Sequence, residues 1–364
     1  MEGRYEDSSP LIKIGEAASQ FARSFISRGG TQMENNELDA EHLLQHFQGV
    51  EDVRNVAQMM ANERLKHFNK MSNRDALEEI AQLIWFDIVN EIPMKYTVGN
   101  CDELAHLALN YVLDKTDLKA EVFRVYGGSH ETNGHVFLVI GRKIPSDMSD
   151  PLTWGDDAVI CDPWANKVYP AATYKENLKN YYFDKVAYKN GLEDLTDEHH
   201  VTLKGYILDT DFLRKAKDTA LKEFKTFFNN EIEPIFKSLS TYRDGLAAEL
   251  KTLKSFQGNE QKIIIISNKI AELNEVINDI TYKKNKINQE TKDYKLVQGS
   301  ILTVIPEIGR NAITKMHFQP AELQILIGKA STQEQVSRFF SPPKDTQTAL
   351  EEMTNKVNQE IKKW

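Results

Sequence analysis

The 364-residue sequence predicts an α+β protein with helices at both ends and a small sheet between them. Apolar residues recur at intervals of three and four before residue 93 and again after residue 212, a spacing typical of amphipathic helices. Short runs rich in valine, isoleucine and phenylalanine lie between these regions and are bounded by turn-forming residues. They predict strands over residues 120–126, 135–141 and 158–162.

Residues 1–93 are predicted to be helical and to pack on the domain that follows. Ser72 and Asp75 have the spacing that is typical of a helix start. His42 and His46 lie one helical turn apart, but without a third ligand nearby they do not predict a metal site. The apolar periodicity predicts helices over residues 11–26, 43–47, 53–68 and 77–92.

Residues 94–210 form the predicted catalytic domain, and Cys101 lies where a helix is expected to begin. Asn100 is a favourable N-cap, and Glu103 follows it at the spacing of a capping box. A helix N-terminus favours thiolate over thiol, and Gly99 permits close approach of backbone or substrate. These features predict a nucleophilic cysteine, whereas a small buried apolar residue is the more common role of a lone cysteine.

Two polar residues on neighbouring predicted strands complete a candidate triad. His135 opens one strand, and Asp162 ends the next, where Pro163 stops the ladder. Because side chains alternate, Asp162 is expected to share a face with Ile160, and Cys161 to face the core. An acid at this place can orient an imidazole. A structural histidine and a simple Asp-Pro turn are the alternatives.

The helix start at residues 99–103, followed by the histidine strand and the Asp-Pro strand end, resembles the transglutaminase-like branch of the papain-like cysteine enzymes. The resemblance covers residues 94–170 and implies a catalytic core of that fold. It also implies that Cys101 is the nucleophile, that His135 is the general base and acid, and that Asp162 orients the imidazole.

Three further residues are expected to bind the substrate. Residues 94–98 lack the glutamine that papain-like proteases often place before the cysteine. The backbone N–H of Cys101 and the Tyr96 hydroxyl are expected to stabilise the oxyanion instead. Asn100 and Trp164 are the other expected contacts, and a structural role is an equally good interpretation of Trp164. No run of acidic oxygen ligands is present, so neither calcium nor another cofactor is expected.

The predicted reaction is acyl transfer on a protein substrate. Cys101 would attack a carboxamide or peptide carbonyl to form a thioester, which His135 would help an amine or water to resolve. Protein-glutamine transglutamination, by crosslinking or amine incorporation, is the leading hypothesis. A cysteine protease or glutamine deamidase with the same triad is the alternative. A metal site of His130, His135 and Asp162 ranks last because they form no compact ligand motif.

Residues 211–340 predict a second, helical domain. Apolar residues follow helical spacing over residues 213–253 and a near-heptad pattern over residues 263–287, with a turn at Gly258. Two such helices predict an antiparallel hairpin, and Pro234 is expected to kink its first arm. The hairpin is either part of a bundle or an arm that holds a protein partner. A non-enzymatic scaffold that binds a host protein is therefore the rival function.

Composition argues against several kinds of partner. The net charge of -9 gives no general affinity for nucleic acid or an acidic membrane, and no apolar run reaches the length of a membrane span. Cys101 and Cys161 are the two cysteines, so a disulfide framework is not expected. The first residues lack the apolar region of a secretory signal. The predicted setting is a reducing compartment such as a cytoplasm.

Residues 341–364 are predicted to be a tail that begins with a proline-containing linker and continues with many Glu and Lys residues. Such a tail is similar to the uncleaved export signals of effector proteins that bacteria inject into host cells. Together with the transglutaminase-like resemblance, it favours a secreted bacterial effector. Such an effector would reach the host-cell cytoplasm without a cleavable signal peptide and modify host proteins.

Overall fold

The structure is a computed structural model that describes residues 9–26, 28–29, 40–66, 73–127, 134–187 and 208–327. They contain helices and a five-stranded antiparallel sheet, which confirms the predicted α+β class. The chain divides into two compact units, Met1–Ala220 and Leu221–Trp364. The predicted tail at 341–364, His130, and the side chains of His42 and His46 lie outside the described residues.

Along the chain, the described part of the first unit begins with helices and continues with the strands of the sheet. Its elements are α1 (Pro10–Phe25), β1 (Arg28–Gly29), α2 (Ala40–Lys66), α3 (Arg74–Tyr96), β2 (Val98–Gly99), α4 (Cys101–Lys115), β3 (Ala120–Tyr126), β4 (Gly134–Ile140), β5 (Val159–Asp162), β6 (Lys167–Pro170), α5 (Tyr174–Asn177) and β7 (Tyr182–Ala187). The helix α6 (Thr210–Leu253) begins in this unit and continues into the second.

The sheet has the strand order β6-β5-β4-β3-β7, and each neighbouring pair is antiparallel. The three predicted strands correspond to β3, β4 and β5, with ends that agree within one residue. The prediction missed β6 and β7. The strand β7 lies in an aromatic segment of the chain, where it pairs with β3.

Two layers cover the sheet. On one face α1 and α4 pack against β4, β5 and β6. Gly15 of α1 approaches so closely that a Cβ there would lie 2.8 Å from Val168 Cγ1, and the buried Cys161 thiol donates to the Gly15 carbonyl at 3.2 Å. Cys161 therefore faces the core, as predicted. The other face carries an aromatic core that includes Phe123, Phe137, Trp154 and Phe183.

The N-terminal helices differ in two details from the prediction. The helices expected over 43–47 and 53–68 are one helix, α2, which continues without a break through Gly49. The helix α3 begins after Asn73, whose side chain accepts from the Ala76 N–H at 3.3 Å, so Asn73 is the N-cap rather than Ser72. The buried residues of α2 are Val50, Val53, Ala57, Ala61 and Leu65.

The second unit contains the greater part of α6, followed by α7 (Glu260–Asn285), a π-helical turn, α8 (Tyr294–Met316) and α9 (Pro320–Ile327). The carboxamides of Asn229 and Asn288 exchange hydrogen bonds, and Lys284 contacts Glu233 at 2.8 Å. These contacts confirm an antiparallel hairpin that turns at Gly258, where φ is +84°. Within the described ranges, no helix is long and apolar enough to cross a membrane.

Candidate active site

Cys101 is the first residue of α4, and a capping network fixes the start of this helix. The Asn100 N–H donates to Glu103 Oε2 at 2.7 Å. Glu103 is buried and also accepts two hydrogen bonds from Arg54 of α2, at 2.6 and 3.1 Å. The predicted helix start is therefore confirmed. The first turn of α4 is also connected to α2 by the Arg54–Glu103 hydrogen bonds, which no local sequence pattern indicates.

Gly99 allows this helix start to pack closely against its surroundings. A Cβ at Gly99 would lie 2.6 Å from Ile26 Cδ1 and 2.8 Å from Glu103 Cβ, distances that no side chain tolerates. Approach of backbone or substrate was expected at Gly99, but the groups that lie closest are side chains of the protein itself. The glycine consequently helps to fix the position of Cys101.

His135 and Asp162 meet because of the register between β4 and β5. Val139 pairs with Ile160, so Asp162 lies on the same face as His135, one diagonal step away. Asp162 Oδ2 is 2.6 Å from His135 Nε2, and both residues are 1% exposed. Asp162 Oδ1 accepts from the Ala165 N–H at 3.1 Å, which fixes the carboxylate. The predicted pairing of these two residues is present in the structure.

Cys101 is also close enough to the same imidazole to affect its pKa. Burial alone would lower the pKa of His135, but the charge and hydrogen bond of Asp162, together with Cys101, raise that pKa to about 10. The imidazole is consequently protonated at neutral pH. A thiol and an imidazole are the pair of groups that nucleophilic cysteine chemistry uses.

Aromatic rings enclose His135. The Trp164 ring lies edge-on at 4.9 Å between ring centroids, and the Tyr181 ring also lies at 4.9 Å, tilted by 32°. Burial raises the pKa of Tyr181, and the nearby Cys101 and Asp162 raise it further. Tyr181 therefore contacts the imidazole and lies within the electrostatic range of Cys101 and Asp162. No local sequence pattern marks Tyr181 as a residue of the site.

Asp102 follows the nucleophile and would oppose a thiolate if its charge were not compensated. Its carboxylate lies 3.6 Å from His106 Nδ1 and 3.6 Å from an Arg124 nitrogen. Burial alone would raise the pKa of Asp102, but His106, Arg124 and Arg54 lower it. The carboxylate is therefore ionised, and neighbouring cations offset its charge.

A cleft of about 430 Å³ opens beside the nucleophile. Asn100, a predicted substrate contact, lies in its wall, and Trp164 lies against the catalytic imidazole. Tyr96 is 48% exposed at the end of α3, beneath Lys95, and is not among the lining residues, so its role stays a prediction. The cleft is lined by Arg54, Asn100, Cys101, Asp102, Arg124, Tyr126, Gly134 and Val136.

Within the described ranges, no three histidine, cysteine or acidic residues are grouped so that they could hold a metal ion. His130, a member of the rival metal hypothesis, lies outside these ranges. Comparisons of the chain with protein-family models, with curated proteins and with solved structures found no match. The function is therefore argued from the site itself.

Proposed function

We propose that this protein is a cysteine acyltransferase with a papain-like, transglutaminase-like core, which modifies glutamine side chains of protein substrates. The observation that carries the proposal is the 2.6 Å contact between His135 Nε2 and Asp162 Oδ2, on an imidazole whose pKa the nearby Cys101 helps to raise. The position of the thiol at the first residue of α4 adds support, because free N–H groups lie there.

The first half of the proposed reaction forms a thioester. The Cys101 thiolate attacks the carboxamide carbon of glutamine, and a carbon–sulfur bond forms. The backbone N–H groups at the start of α4 stabilise the oxyanion. The His135 imidazolium gives its proton to the departing nitrogen, and ammonia leaves.

The second half transfers the acyl group to a primary amine. Neutral His135 takes a proton from the attacking amine, the new carbon–nitrogen bond forms, and the carbon–sulfur bond breaks. The thiolate and the imidazolium are thereby restored. Asp162 holds the imidazole in one orientation throughout and balances its positive charge.

The enclosure of His135 supports transfer over hydrolysis. Trp164 and Tyr181 cover two sides of the imidazole and limit the access of water to the thioester. The same triad with water as acceptor would give a deamidase or a protease. The proposal that the substrates are host proteins is based on the similarity of residues 341–364 to effector export signals.

The test compares three proteins in a eukaryotic cell lysate that contains a tagged primary amine. We expect the wild type and Cys161→Ala to label lysate proteins, and Cys101→Ala to label none. Cys161 is the matched control because it is the other cysteine and is fully buried. Mass spectrometry would identify the labelled glutamines.

Other outcomes are equally informative. Deamidated glutamines or peptide fragments that depend on Cys101 would replace the transferase with a hydrolase. Labelling, deamidation and cleavage that are all independent of Cys101 would contradict the proposal. That result would favour the non-enzymatic scaffold, in which the helical hairpin binds a protein.

A further inference from the structure

Two arginines lie in the cleft beside Cys101, and each is paired with an acidic residue in the first turn of α4. Arg54 of α2 binds Glu103, with its closest contact at 2.6 Å, and Arg124 of β3 lies 3.6 Å from Asp102. The two arginines reach the cleft from two different elements, a helix and a strand. The pattern therefore belongs to the tertiary structure rather than to one segment.

The carboxylates lie inside and the guanidinium groups lie outside. The Glu103 and Asp102 side chains are 4% and 17% exposed, whereas those of Arg54 and Arg124 are 51% and 34% exposed. The two positive and two negative charges sum to zero, but the positively charged groups are the more exposed ones. A ligand in the cleft consequently meets guanidinium nitrogens before it meets a carboxylate.

The two arginines differ in how many of their guanidinium N–H groups remain available to a ligand. Arg54 uses Nε and one terminal nitrogen to bind both oxygens of Glu103. Arg124 makes its ion pair at 3.6 Å, which is longer than a hydrogen bond. Within the described ranges, no hydrogen bond holds the Arg124 guanidinium, whose paired N–H groups match the two oxygens of a carboxylate.

We propose that Arg124 forms an anion subsite beside Cys101, which selects acyl donors that carry an acidic residue next to the reacting glutamine. This inference rests on the proposed function and names its substrate class. The carboxylate of the substrate would bind the Arg124 guanidinium while the neighbouring carboxamide reaches the sulfur. The overall charge of -9 disfavours extended polyanions, so the ligand is a local acidic side chain.

The test uses two bromoacetyl probes that alkylate Cys101 and differ by a single charge, bromoacetyl-aspartate amide and bromoacetyl-asparagine amide. In each reaction the sulfur–carbon bond forms and bromide leaves. The readout is the ratio of the two rate constants, aspartate over asparagine, divided by the same ratio for N-acetylcysteine amide. This division removes the intrinsic difference in reactivity between the probes.

We expect the normalised ratio to be about three to ten in the wild type at low salt and to fall as salt is added. It should approach one in Arg124→Gln and fall below one in Arg124→Glu. Arg64→Gln is the matched control, because Arg64 is similarly exposed and pairs with Glu91 on α3. This variant should keep the wild-type ratio.

Two results would overturn the anion subsite. One is a normalised ratio of one in the wild type, and the other is a ratio that Arg124→Gln leaves unchanged. The absolute rate with iodoacetamide tests the proposed function separately, since it should depend on His135. If that rate is the same in His135→Gln, the triad fails whatever the ratio shows. A Cys101 thiol that reacts with none of the reagents overturns both proposals.

Discussion

At the scale of single residues, the negative charge of Asp162 is expected to matter more than its shape. Asp162→Asn keeps the size of the side chain but removes the counter-charge 2.6 Å from His135. We expect the rate of amine incorporation to fall by about a hundredfold to ten-thousandfold, because the imidazole loses its fixed orientation and its stabilised charge. Turnover of an identified substrate, followed at pH 7, measures the loss.

Asp184→Asn is the control for this prediction, since Asp184 is an exposed aspartate on β7 of the same sheet. It should retain the wild-type rate. Circular dichroism of both variants separates a loss of chemistry from a loss of fold. A fully active Asp162→Asn would contradict the role that we assign to Asp162.

The raised pKa of His135 predicts how stability depends on pH. The folded-state pKa of His135, about 10, lies above the ordinary histidine pKa of 6.5, so the stabilisation is complete below pH 6.5 and is lost as pH rises toward 10. Between these values His135 should lower the free energy of unfolding by up to about 1.4 kcal/mol per pH unit. Urea unfolding from pH 6 to pH 10 measures this slope.

The cleanest comparison uses Cys101→Ala as the background, because this substitution removes ionisation of the thiol. The double variant Cys101→Ala/His135→Gln retains every other titrating group. Its stability should therefore decline less steeply with pH than that of Cys101→Ala. Equal slopes in the two proteins would show that His135 does not carry a raised pKa.

Tyr181 is expected to control the choice between amine and water. Its ring lies 4.9 Å from the imidazole, so Tyr181→Ala opens one side of the site to solvent. We expect the ratio of hydrolysis to amine transfer to rise about tenfold, whereas Tyr181→Phe, which retains the ring, should stay close to the wild type. Quantitative mass spectrometry of deamidated and amine-labelled glutamine gives this ratio.

Tyr182→Ala is the control for that measurement, because Tyr182 is the next residue and is 53% exposed. It should not change the product ratio. If Tyr181→Phe behaves like Tyr181→Ala, the hydroxyl rather than the ring is responsible. An unchanged ratio in Tyr181→Ala would remove the argument that enclosure favours transfer.

Local sequence signals identify some site residues and leave others hidden. Cys101 has a capping pattern beside it, and His135 and Asp162 stand at the ends of strands with clear β patterns. Arg124 lies inside a predicted strand, and no local sequence pattern marks it as a site residue. Its ion pair with Asp102 depends on the packing of β3 against α4. Tyr181 likewise acquires its role only because β7 pairs with β3.

At the scale of elements, α1 packs against β5 and β6 and is expected to stabilise this part of the sheet. Gly15 lets α1 approach β5 and β6, and a Cβ there would meet the stiff Val168 side chain at 2.8 Å. We expect Gly15→Ala to lower the free energy of unfolding by about 1 to 3 kcal/mol, because the helix must move away from the sheet. The same shift should slow alkylation of Cys101.

Gly245→Ala provides the matched comparison on another helix. Nothing lies within 4 Å of a Cβ at Gly245, so alanine should stabilise α6 there by about 0.5 to 1 kcal/mol. Denaturant unfolding of the two variants compares the opposite signs. If both substitutions stabilised the protein, the close packing of α1 on the sheet would be excluded.

The strands rich in apolar residues were the easier ones to predict. β3, β4 and β5 are of this kind, whereas β6 begins with a lysine and ends in a proline. The sequence splits α2 into two predicted helices because polar residues surround Gly49. In the structure one helix runs through Gly49, although Leu44 and Phe47 before it are exposed and the buried residues begin at Val50. Local patterns are therefore least informative where they are short or interrupted.

At the scale of the whole molecule, the division into two units predicts that damage in one unit spares the other. Leu107 of α4 and Leu273 of α7 are both fully buried, one in each unit. Truncation of either to alanine should cost about 2 to 5 kcal/mol through lost contacts and a cavity. Both substitutions replace leucine with alanine, so any difference in their effects results from the unit in which the leucine lies.

We expect Leu107→Ala to lower the thermal transition of the first unit and to slow alkylation of Cys101, because α4 carries the nucleophile. Leu273→Ala should lower the transition of the second unit and leave the alkylation rate unchanged below that transition. Calorimetry and the iodoacetamide rate, measured on the same samples, test both statements. A single transition that both variants lower equally, with the alkylation rate reduced in both, would mean that the continuous helix α6 couples the two units into one cooperative structure.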